Sequence, residues 1–281
     1  MKYYELKKII MEKLSSISDE NDREAMLILE YASHFSYTEI INNYMNECSN
    51  DVINTSLEIV KRRLNREPLQ YILGKVDFFG VEILVSENVL IPRFDTEFVC
   101  EKAYELLRDG DNIADICCGS GCIGLSLCAK KNITVDLFDI SNFAINQTMK
   151  NALNLNLMDK VNIYKRDVFS GSLFDGCEKY NLIISNPPYI ETKTINDLQN
   201  EVFIYEPHLA LDGGGDGLDF YRHLLDICPS MLKENGYIVF EIGYNQGQDI
   251  KKLCKQKNLE CKIYKDYSGN DRAVIIQNVQ S

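Results

Sequence analysis

The stretch "NIADICCGSGCIGLSLCAKK", residues 112–131, joins two apolar runs through a turn that contains glycines. The first run predicts a buried strand over residues 112–117, and the longer second run predicts a helix over residues 122–131. A glycine-rich turn that opens a helix lets the backbone approach a ligand closely. The stretch therefore predicts a ligand-binding strand, turn and helix.

Strands and helices alternate from about residue 95 onward, which is typical of βαβ units and a parallel sheet. Only "SGND" joins the last two strands, so these two must be antiparallel. The predicted strands cover residues 112–117, 133–140, 161–167, 180–185, 236–242, 261–267 and 272–278, and the predicted helices cover 122–131, 141–156, 217–232 and 245–258.

The N-terminal part of the chain has a different pattern, in which apolar residues recur at helical spacing. We predict a small helical domain over residues 1–75. A β-hairpin linker that turns at Gly80 is predicted over residues 76–94, and an α/β domain over residues 95–281.

The composition excludes several classes of protein. The chain has 281 residues, of which 45% are hydrophobic and 26% charged, which is typical of globular domains. With a net charge of −12, the chain lacks the excess of basic residues that is typical of nucleic-acid enzymes. No direct nucleic-acid partner is therefore expected. No run reaches the roughly 18 apolar residues of a membrane span, and no signal peptide is visible. We expect a cytoplasmic protein without membrane contact.

The ten cysteines form no C-x-x-C pair, although four of them cluster around the glycine turn. In a cytoplasmic protein such cysteines are expected to be reduced and to act as small buried apolar residues. We therefore expect no disulfide framework and no metal.

A second stretch, "NLIISNPPYIE" at residues 181–191, ends a predicted strand with Asn186 and two prolines. Proline has no backbone N–H and fixes φ, so the strand cannot continue through Pro187 and Pro188. Asn186 then lies at the carboxyl end of its strand, where open α/β sheets bind ligands.

This motif offers acceptors to a planar –NH₂ group. The side-chain oxygen of Asn186 and the backbone oxygen of Pro187 can each accept one hydrogen, and Tyr189 can pack against the plane. Two such acceptors would disfavour conjugation of the nitrogen lone pair and aim the nitrogen at a methyl sulfonium, so catalysis is mostly positioning and electrostatics. For the motif taken alone, a simple strand-ending turn is the alternative.

The glycine turn alone leaves two classes of cofactor open. Gly119, Gly121 and Gly124 fit the G-x-G-x-x-G pattern of dinucleotide-binding proteins. Asp139 follows Gly121 by 18 residues, near the position of a ribose-binding acid. Asp115 inside the strand instead suits a cofactor with an amino-acid end, whose ammonium group needs a partner. No histidine has a placement that suggests the acid–base role of a dehydrogenase.

Asp167 and Val168 end another predicted strand at the same edge of the sheet. A carboxylate there can accept a hydrogen bond from an adenine amino group, whereas a helix or turn cap is the structural alternative for Asp167.

The motifs together resemble those of the release factor glutamine methyltransferases over nearly the whole chain. The sheet with one antiparallel strand near its end is also similar to that of class I enzymes that use S-adenosylmethionine. The segments that carry the resemblance are "REPLQYILGKVDFFG" (66–80), "IPRFDTE" (91–97), "ADICCGSGCIGLSL" (114–127), "SNPPYI" (185–190), "YEPHLALDGGGDGLDFYRHL" (205–224), "EIGYNQG" (241–247) and "DYSGNDRAV" (266–274).

The resemblance implies an activity and a site. A methyl group would pass from S-adenosylmethionine to the side-chain amide nitrogen of the glutamine in the Gly-Gly-Gln motif of peptide chain release factors, leaving S-adenosylhomocysteine. It also implies a monomer whose helical domain helps to dock the release factor. The substrate amide would contact Asn186, Pro187, Pro188 and Tyr189, with Asn186, Pro187 and Tyr189 as the catalytic residues. The cofactor would contact Asp115, Cys117, Cys118, Gly119, Ser120, Gly121, Asp139, Asp167, Val168 and Asn186.

Three positions depart from the pattern of the family. Cys117 stands where the family usually has the first glycine of the loop, and we expect that this position does not need a positive φ. Val168 stands where some members carry an aromatic residue beside the adenine, so weaker stacking is expected there. "RFDTE", residues 93–97, replaces the commoner Arg-Pro-Glu-Thr-Glu and keeps its acidic character.

Two alternatives remain open at this point. Asn-Pro-Pro-Tyr is shared with adenine-N6 methyltransferases of DNA or RNA, which the acidic charge and the lack of a DNA-reading module disfavour. A nicotinamide-dependent dehydrogenase built on the glycine turn is the alternative from another class.

Overall fold

The computed structural model describes residues 1–277 and divides the chain into two compact units. One unit holds Met1–Lys75 and Asn200–Tyr205, and the other holds Val76–Gln199 and the chain from Glu206 onward. Asn278, the predicted end of the last strand, and the three residues after it lie outside the described residues. Within residues 1–277, no helix combines the length and the apolar composition that a membrane crossing requires.

The first unit consists of short amphipathic helices around one apolar core. Leu6, Ile10 and Leu14 repeat at helical spacing and are fully buried, and they share a core with Ile28 and Leu29. Its first five helices are α1 (Tyr3–Leu14), α2 (Asn21–Ser33), α3 (Tyr37–Asn42), α4 (Asn50–Leu64) and α5 (Leu69–Leu73).

An ion cluster holds the segment Asn200–Tyr205 in this unit, although it lies far along the sequence. The guanidinium of Arg63 donates to Glu24 at 3.0 Å and to Glu201 at 3.2 Å, and Arg66 donates to the same oxygen of Glu201 at 3.2 Å. Arg63 is only 7% exposed, so its charge depends on these partners.

The second unit contains the predicted α/β fold. Its strands are β1 (Lys75–Phe78), β2 (Val81–Leu84), β3 (Asn112–Ile116), β4 (Thr134–Asp139), β5 (Val161–Lys165), β6 (Tyr180–Ser185), β7 (Leu232–Glu241), β8 (Cys261–Lys265) and β9 (Asp271–Gln277). The other α-helices within residues 1–277 are α6 (Phe94–Leu106), α7 (Cys122–Lys130), α8 (Asn142–Asn154), α9 (Asn200–Tyr205, in the first unit), α10 (Asp219–Ile227) and α11 (Gly247–Gln256).

Strands β3 to β9 form one seven-stranded sheet in the order β5-β4-β3-β6-β7-β9-β8. Only β9 runs against its neighbours, so the predicted parallel sheet with an antiparallel last strand is confirmed. The chain moves outward from β3 in one direction through β4 and β5, and in the other through β6 and β7. The carboxyl ends of β3 and β6 therefore form the switch point where α/β sheets bind ligands.

The predicted hairpin is formed by β1 and β2 and turns at Phe79 and Gly80, which both have positive φ values, of 53° and 67°. Such a pair suits a tight two-residue turn. The backbone of Leu84 exchanges hydrogen bonds with the side chain of Asn151, so β2 packs against α8 in the second unit.

Candidate active site

A cavity of about 270 Å³ lies at the switch point of the sheet. Each of β3, β4, β5 and β6 contributes the residues that follow its carboxyl end. The predicted site residues that line the cavity are Cys117, Cys118, Gly119, Ser120, Asp139, Asp167, Val168, Asn186 and Pro188. The predicted site residues outside its wall are Asp115, Gly121, Pro187 and Tyr189.

The register of the sheet explains why the glycine turn and the Asn-Pro-Pro-Tyr motif meet. Ile116, the last residue of β3, pairs with Ser185, the last residue of β6. The Ser185 hydroxyl also donates to the Ile116 carbonyl oxygen at 2.6 Å. Cys117 and Asn186 therefore leave neighbouring strands side by side.

The glycine turn is left-handed at three positions, and one of them is not glycine. Gly119 and Gly121 have φ values of 58° and 77°, and Cys117 has a φ of 59°. The expectation that position 117 does not need a positive φ is wrong. A side chain in this region clashes with the following carbonyl oxygen, which costs about 1–2 kcal/mol. The backbone of Cys117 is therefore strained in this turn.

Replacing Cys117 should reveal this strain. Cys117→Gly and Cys117→Ala both remove the thiol, but only glycine also removes Cβ. We expect the glycine variant to have a free energy of unfolding about 0.5–1 kcal/mol larger than that of the alanine variant, because relief of strain exceeds the entropy cost of glycine. Urea denaturation of the two variants measures the difference. Equal stability, or a more stable alanine variant, would show that the position is not strained.

Asp139 fixes the turn from the end of β4. One carboxylate oxygen accepts the backbone N–H of Gly119 at 2.9 Å, and the other accepts that of Ser141 at 2.9 Å. Burial raises the pKa of Asp139, while these backbone donors lower it. Asp139 therefore shapes the loop as well as facing the cavity.

Asp115 lies beneath the turn and is fully buried. Its Oδ2 accepts the backbone N–H of Gly124 at 2.9 Å, and its Oδ1 has no hydrogen-bond partner among the described residues. Burial raises the pKa of Asp115 to about 7. A cationic group brought close to it would relieve the cost of an unpartnered buried carboxylate oxygen.

The end of β5 supplies an aromatic wall that the sequence analysis did not identify. Val168 lines the cavity but is buried, with 6% exposure. The next residue, Phe169, also lines the cavity and is 48% exposed, and its ring lies 4.9 Å from that of Phe220. The Asp167 carboxylate accepts the backbone N–H of Phe169 at 2.9 Å, so Asp167 also caps this turn.

The side chain of Asn186 has a defined orientation at the cavity wall. Its Nδ2 donates to the hydroxyl of Thr96 at 3.3 Å, which leaves Oδ1 as the free acceptor. Tyr189 lies behind the wall, and its hydroxyl donates to Glu241 at 3.3 Å. Burial raises the pKa of Tyr189 well above its usual value, so this hydroxyl remains a donor.

Two distant segments support the backbone of the Asn-Pro-Pro-Tyr motif. A Cβ at Gly213 would lie 2.7 Å from the Tyr189 Cα, and one at Gly217 would lie 2.4 Å from the Tyr189 carbonyl oxygen. The amide of Gln246 donates to the same Tyr189 oxygen at 3.0 Å. Only glycine allows the first two approaches, so the glycines of "LDGGGDG" (211–217) fix the loop.

Family models identify both units of the chain. Residues 92–239 match the methyltransferase small domain, and residues 5–74 match the PrmC N-terminal domain. The structure is similar to that of a methyltransferase from Pyrococcus furiosus, with a TM-score of 0.54, 19% identity and coverage of 72% of this chain and 91% of that one. This likeness supports the class I methyltransferase fold.

Three proteins with similar sequences are all named release factor glutamine methyltransferase. The release factor glutamine methyltransferase of Clostridium acetobutylicum is 32% identical over 96% of this chain and 97% of its own length. That of Caulobacter vibrioides is 35% identical over 92% and 89%, respectively. That of Fusobacterium nucleatum is 43% identical, but the match spans 77% of this chain and 62% of the relative. The chain belongs to the family of release factor glutamine methyltransferases.

Proposed function

We propose that this chain transfers a methyl group from S-adenosylmethionine to the side-chain amide nitrogen of the glutamine in the Gly-Gly-Gln motif of peptide chain release factors. The observation that carries the proposal is the orientation of Asn186, whose amide donates to Thr96 and keeps its oxygen free at the cavity wall. A free oxygen here suits a substrate that offers hydrogens on a planar nitrogen.

The residues around the cavity fit S-adenosylmethionine, which supplies an electrophilic methyl group when bound. The unpartnered oxygen of Asp115 favours an ammonium group near the glycine turn. Asp139, Asp167 and Phe169 line the cavity, where Asp139 would accept a hydrogen bond from a nucleoside hydroxyl and the other two would hold the adenine. No part of this fit requires a metal ion.

The protein's own contribution to the reaction is positioning and electrostatics. Asn186 Oδ1 and the Pro187 carbonyl oxygen would accept the two hydrogens of the glutamine amide. The Pro187 oxygen accepts no hydrogen bond from the backbone of another described residue, although Pro187 itself lies outside the cavity wall. Holding the –NH₂ group in this way directs the nitrogen lone pair toward the methyl group.

The helical unit, residues 1–75 with Asn200–Tyr205, is proposed to help dock the release factor. This role comes from the family, whose N-terminal domain model matches residues 5–74.

One experiment separates the proposed substrate from its alternative. The purified protein is incubated with S-adenosylmethionine labelled on the methyl group and with either a release factor or duplex DNA. Label is expected in the release factor only. Label in DNA alone would instead assign the adenine-N6 activity.

Phe169 is expected to contribute to cofactor binding. Removing its ring as Phe169→Ala should weaken S-adenosylhomocysteine about tenfold, because stacking on a nucleobase contributes about 1–3 kcal/mol. Phe143→Ala is the matched control, since Phe143 is 59% exposed on α8 and lies outside the cavity wall. Calorimetry with S-adenosylhomocysteine measures both affinities. Equal affinities for the two variants would remove Phe169 from the cofactor site.

A further inference from the structure

Arg93 is a cation at the cavity wall that pairs with a buried carboxylate. Its Nη2 donates to Glu206 Oε1 at 2.6 Å, and the Glu206 side chain is only 1% exposed. The other oxygen of Glu206 has no hydrogen-bond partner among the described residues, so this carboxylate depends on Arg93 to offset its charge. Pro207, the residue after Glu206, also lines the cavity. The ion pair therefore lies at the cavity wall.

Most donors of the Arg93 guanidinium remain available to a ligand. A guanidinium has five N–H groups, and the bond to Glu206 is the one hydrogen bond that the Arg93 side chain makes within residues 1–277. The side chain is 39% exposed, so a ligand can reach it. Arg63 shows in the same chain that one guanidinium can bridge two carboxylates, those of Glu24 and Glu201. Arg93 can therefore hold a second anionic group without releasing Glu206.

A second cation at the cavity wall, Arg166, already has partners. It follows β5, donates to the Leu173 carbonyl oxygen at 2.7 Å, and its guanidinium carbon lies 4.5 Å from the centre of the Tyr164 ring. Within residues 1–277, no other lysine or arginine lines the cavity. An anionic group that enters the cavity therefore has Arg93 as its available cation.

The order of the strands places Arg93 at the end of the cavity opposite to the adenine. Asp167 follows β5, Asp139 ends β4 and the glycine turn follows β3. A cofactor whose adenine, ribose and amino-acid end meet these groups in turn would extend toward β6. Arg93 lies on that side, because its carbonyl oxygen accepts the backbone N–H of Thr96, whose hydroxyl accepts the amide of Asn186 after β6.

We propose that Arg93 binds the carboxylate at the amino-acid end of S-adenosylmethionine, and that Glu206 holds the guanidinium in place for it. The carboxylate needs a cation, because Asp139 and Asp167 line the cavity and Asp115 lies beneath the glycine turn. With the ammonium group near Asp115, each charge of the amino-acid end would have a partner of opposite sign. The inference rests on the cofactor of the proposed function and not on the protein substrate.

Two ligands that differ only in the carboxylate test the inference by calorimetry. S-adenosylhomocysteine carries the carboxylate, whereas its decarboxylated analogue lacks it and keeps the ammonium group. Arg93→Met should bind S-adenosylhomocysteine about 10- to 100-fold more weakly than wild type, because a hydrogen bond between charged groups is lost. Its affinity for the decarboxylated analogue should stay within about twofold of wild type. Equal effects on the two ligands, whether absent or large, would overturn the proposal.

Two further variants complete the experiment. Arg108→Met is the matched control, since Arg108 is an exposed arginine that lies outside the cavity wall, and it should leave both affinities unchanged. Should Arg93→Met prove unfolded because Glu206 is left buried without its cation, Arg93→Met/Glu206→Gln removes both charges. This double variant should show the same selective loss of S-adenosylhomocysteine. A wild-type affinity for S-adenosylhomocysteine in the folded double variant would contradict the proposal.

The role of Arg93 can fail separately from the proposed substrate. If Arg93 instead held a peptide carbonyl group of the release factor, Arg93→Met would raise KM for the release factor and leave the affinity for S-adenosylhomocysteine unchanged, which rejects the inference. A wild-type protein that binds neither ligand would reject the cofactor, and with it both the inference and the proposed function. Methylation of DNA in place of the release factor would reject the proposed substrate alone, because the expected loss of S-adenosylhomocysteine affinity stays the same.

Discussion

Asn186→Ala should lower kcat for methylation of the release factor about 10²- to 10³-fold, which is the usual loss when one preorganised hydrogen-bonding group is removed from a reacting centre. Alanine removes the acceptor that would hold one hydrogen of the glutamine amide, so the nitrogen is no longer held toward the methyl group. Binding of S-adenosylhomocysteine should persist, because the glycine turn, Asp139 and Phe169 are untouched. Single-turnover methylation and calorimetry measure the two effects separately.

Asn154→Ala is the matched control for this experiment. Asn154 is an exposed asparagine at the end of α8 and lies outside the cavity wall, so its loss should leave kcat unchanged. Methylation by the Asn186→Ala protein at the wild-type rate would exclude Asn186 as the group that holds the substrate amide.

Arg63→Ala should destabilise the helical unit by about 3–5 kcal/mol, because it leaves the Glu24 carboxylate without its arginine and Glu201 with only the part-exposed Arg66. Arg63 is 7% exposed and bonds both carboxylates. Its loss should also loosen Asn200–Tyr205, although Arg66 still pairs with Glu201 and the Tyr205 hydroxyl still donates to the Asn65 carbonyl oxygen. Urea denaturation of the full chain measures the stability, and hydrogen exchange of residues 200–205 reports the loosening.

The neighbouring Arg62 provides the control, since it has the same charge on the same helix. Arg62 pairs with Glu67 at the surface, where its side chain is 44% exposed. Exposed pairs contribute about 0–1 kcal/mol, so Arg62→Ala should have a small effect. If the two alanine variants lost equal stability, the buried cluster would not be what holds this segment.

The strands of the sheet could be predicted because each is encoded by a short continuous run of the sequence. Short apolar runs such as "YNLIIS" (180–185) are bounded by polar or turn residues, and each matches an observed strand within a few positions. Topology then brings the strand ends together, which is why Asn186 and the glycine turn were expected at one edge. Helix α6 was not predicted, because its consecutive buried residues Phe98, Val99 and Cys100 blur the helical period.

The supports of the site could not be predicted in this way, because they come from distant parts of the sequence. Gly213, Gly217 and Gln246 lie in recognisable motifs, yet their contact with Tyr189 exists only in the folded chain. The positive φ of Cys117 was missed because residue type does not reveal a strained conformation that the surrounding turn imposes.

Mass spectrometry of a release factor co-expressed with this protein tests the central claim most directly. The peptide that contains the Gly-Gly-Gln motif should carry one added methyl group on its glutamine, and the same peptide from cells with the Asn186→Ala variant should not. An unmethylated glutamine alongside the folded wild-type protein, in cells that supply S-adenosylmethionine, would contradict the proposed activity.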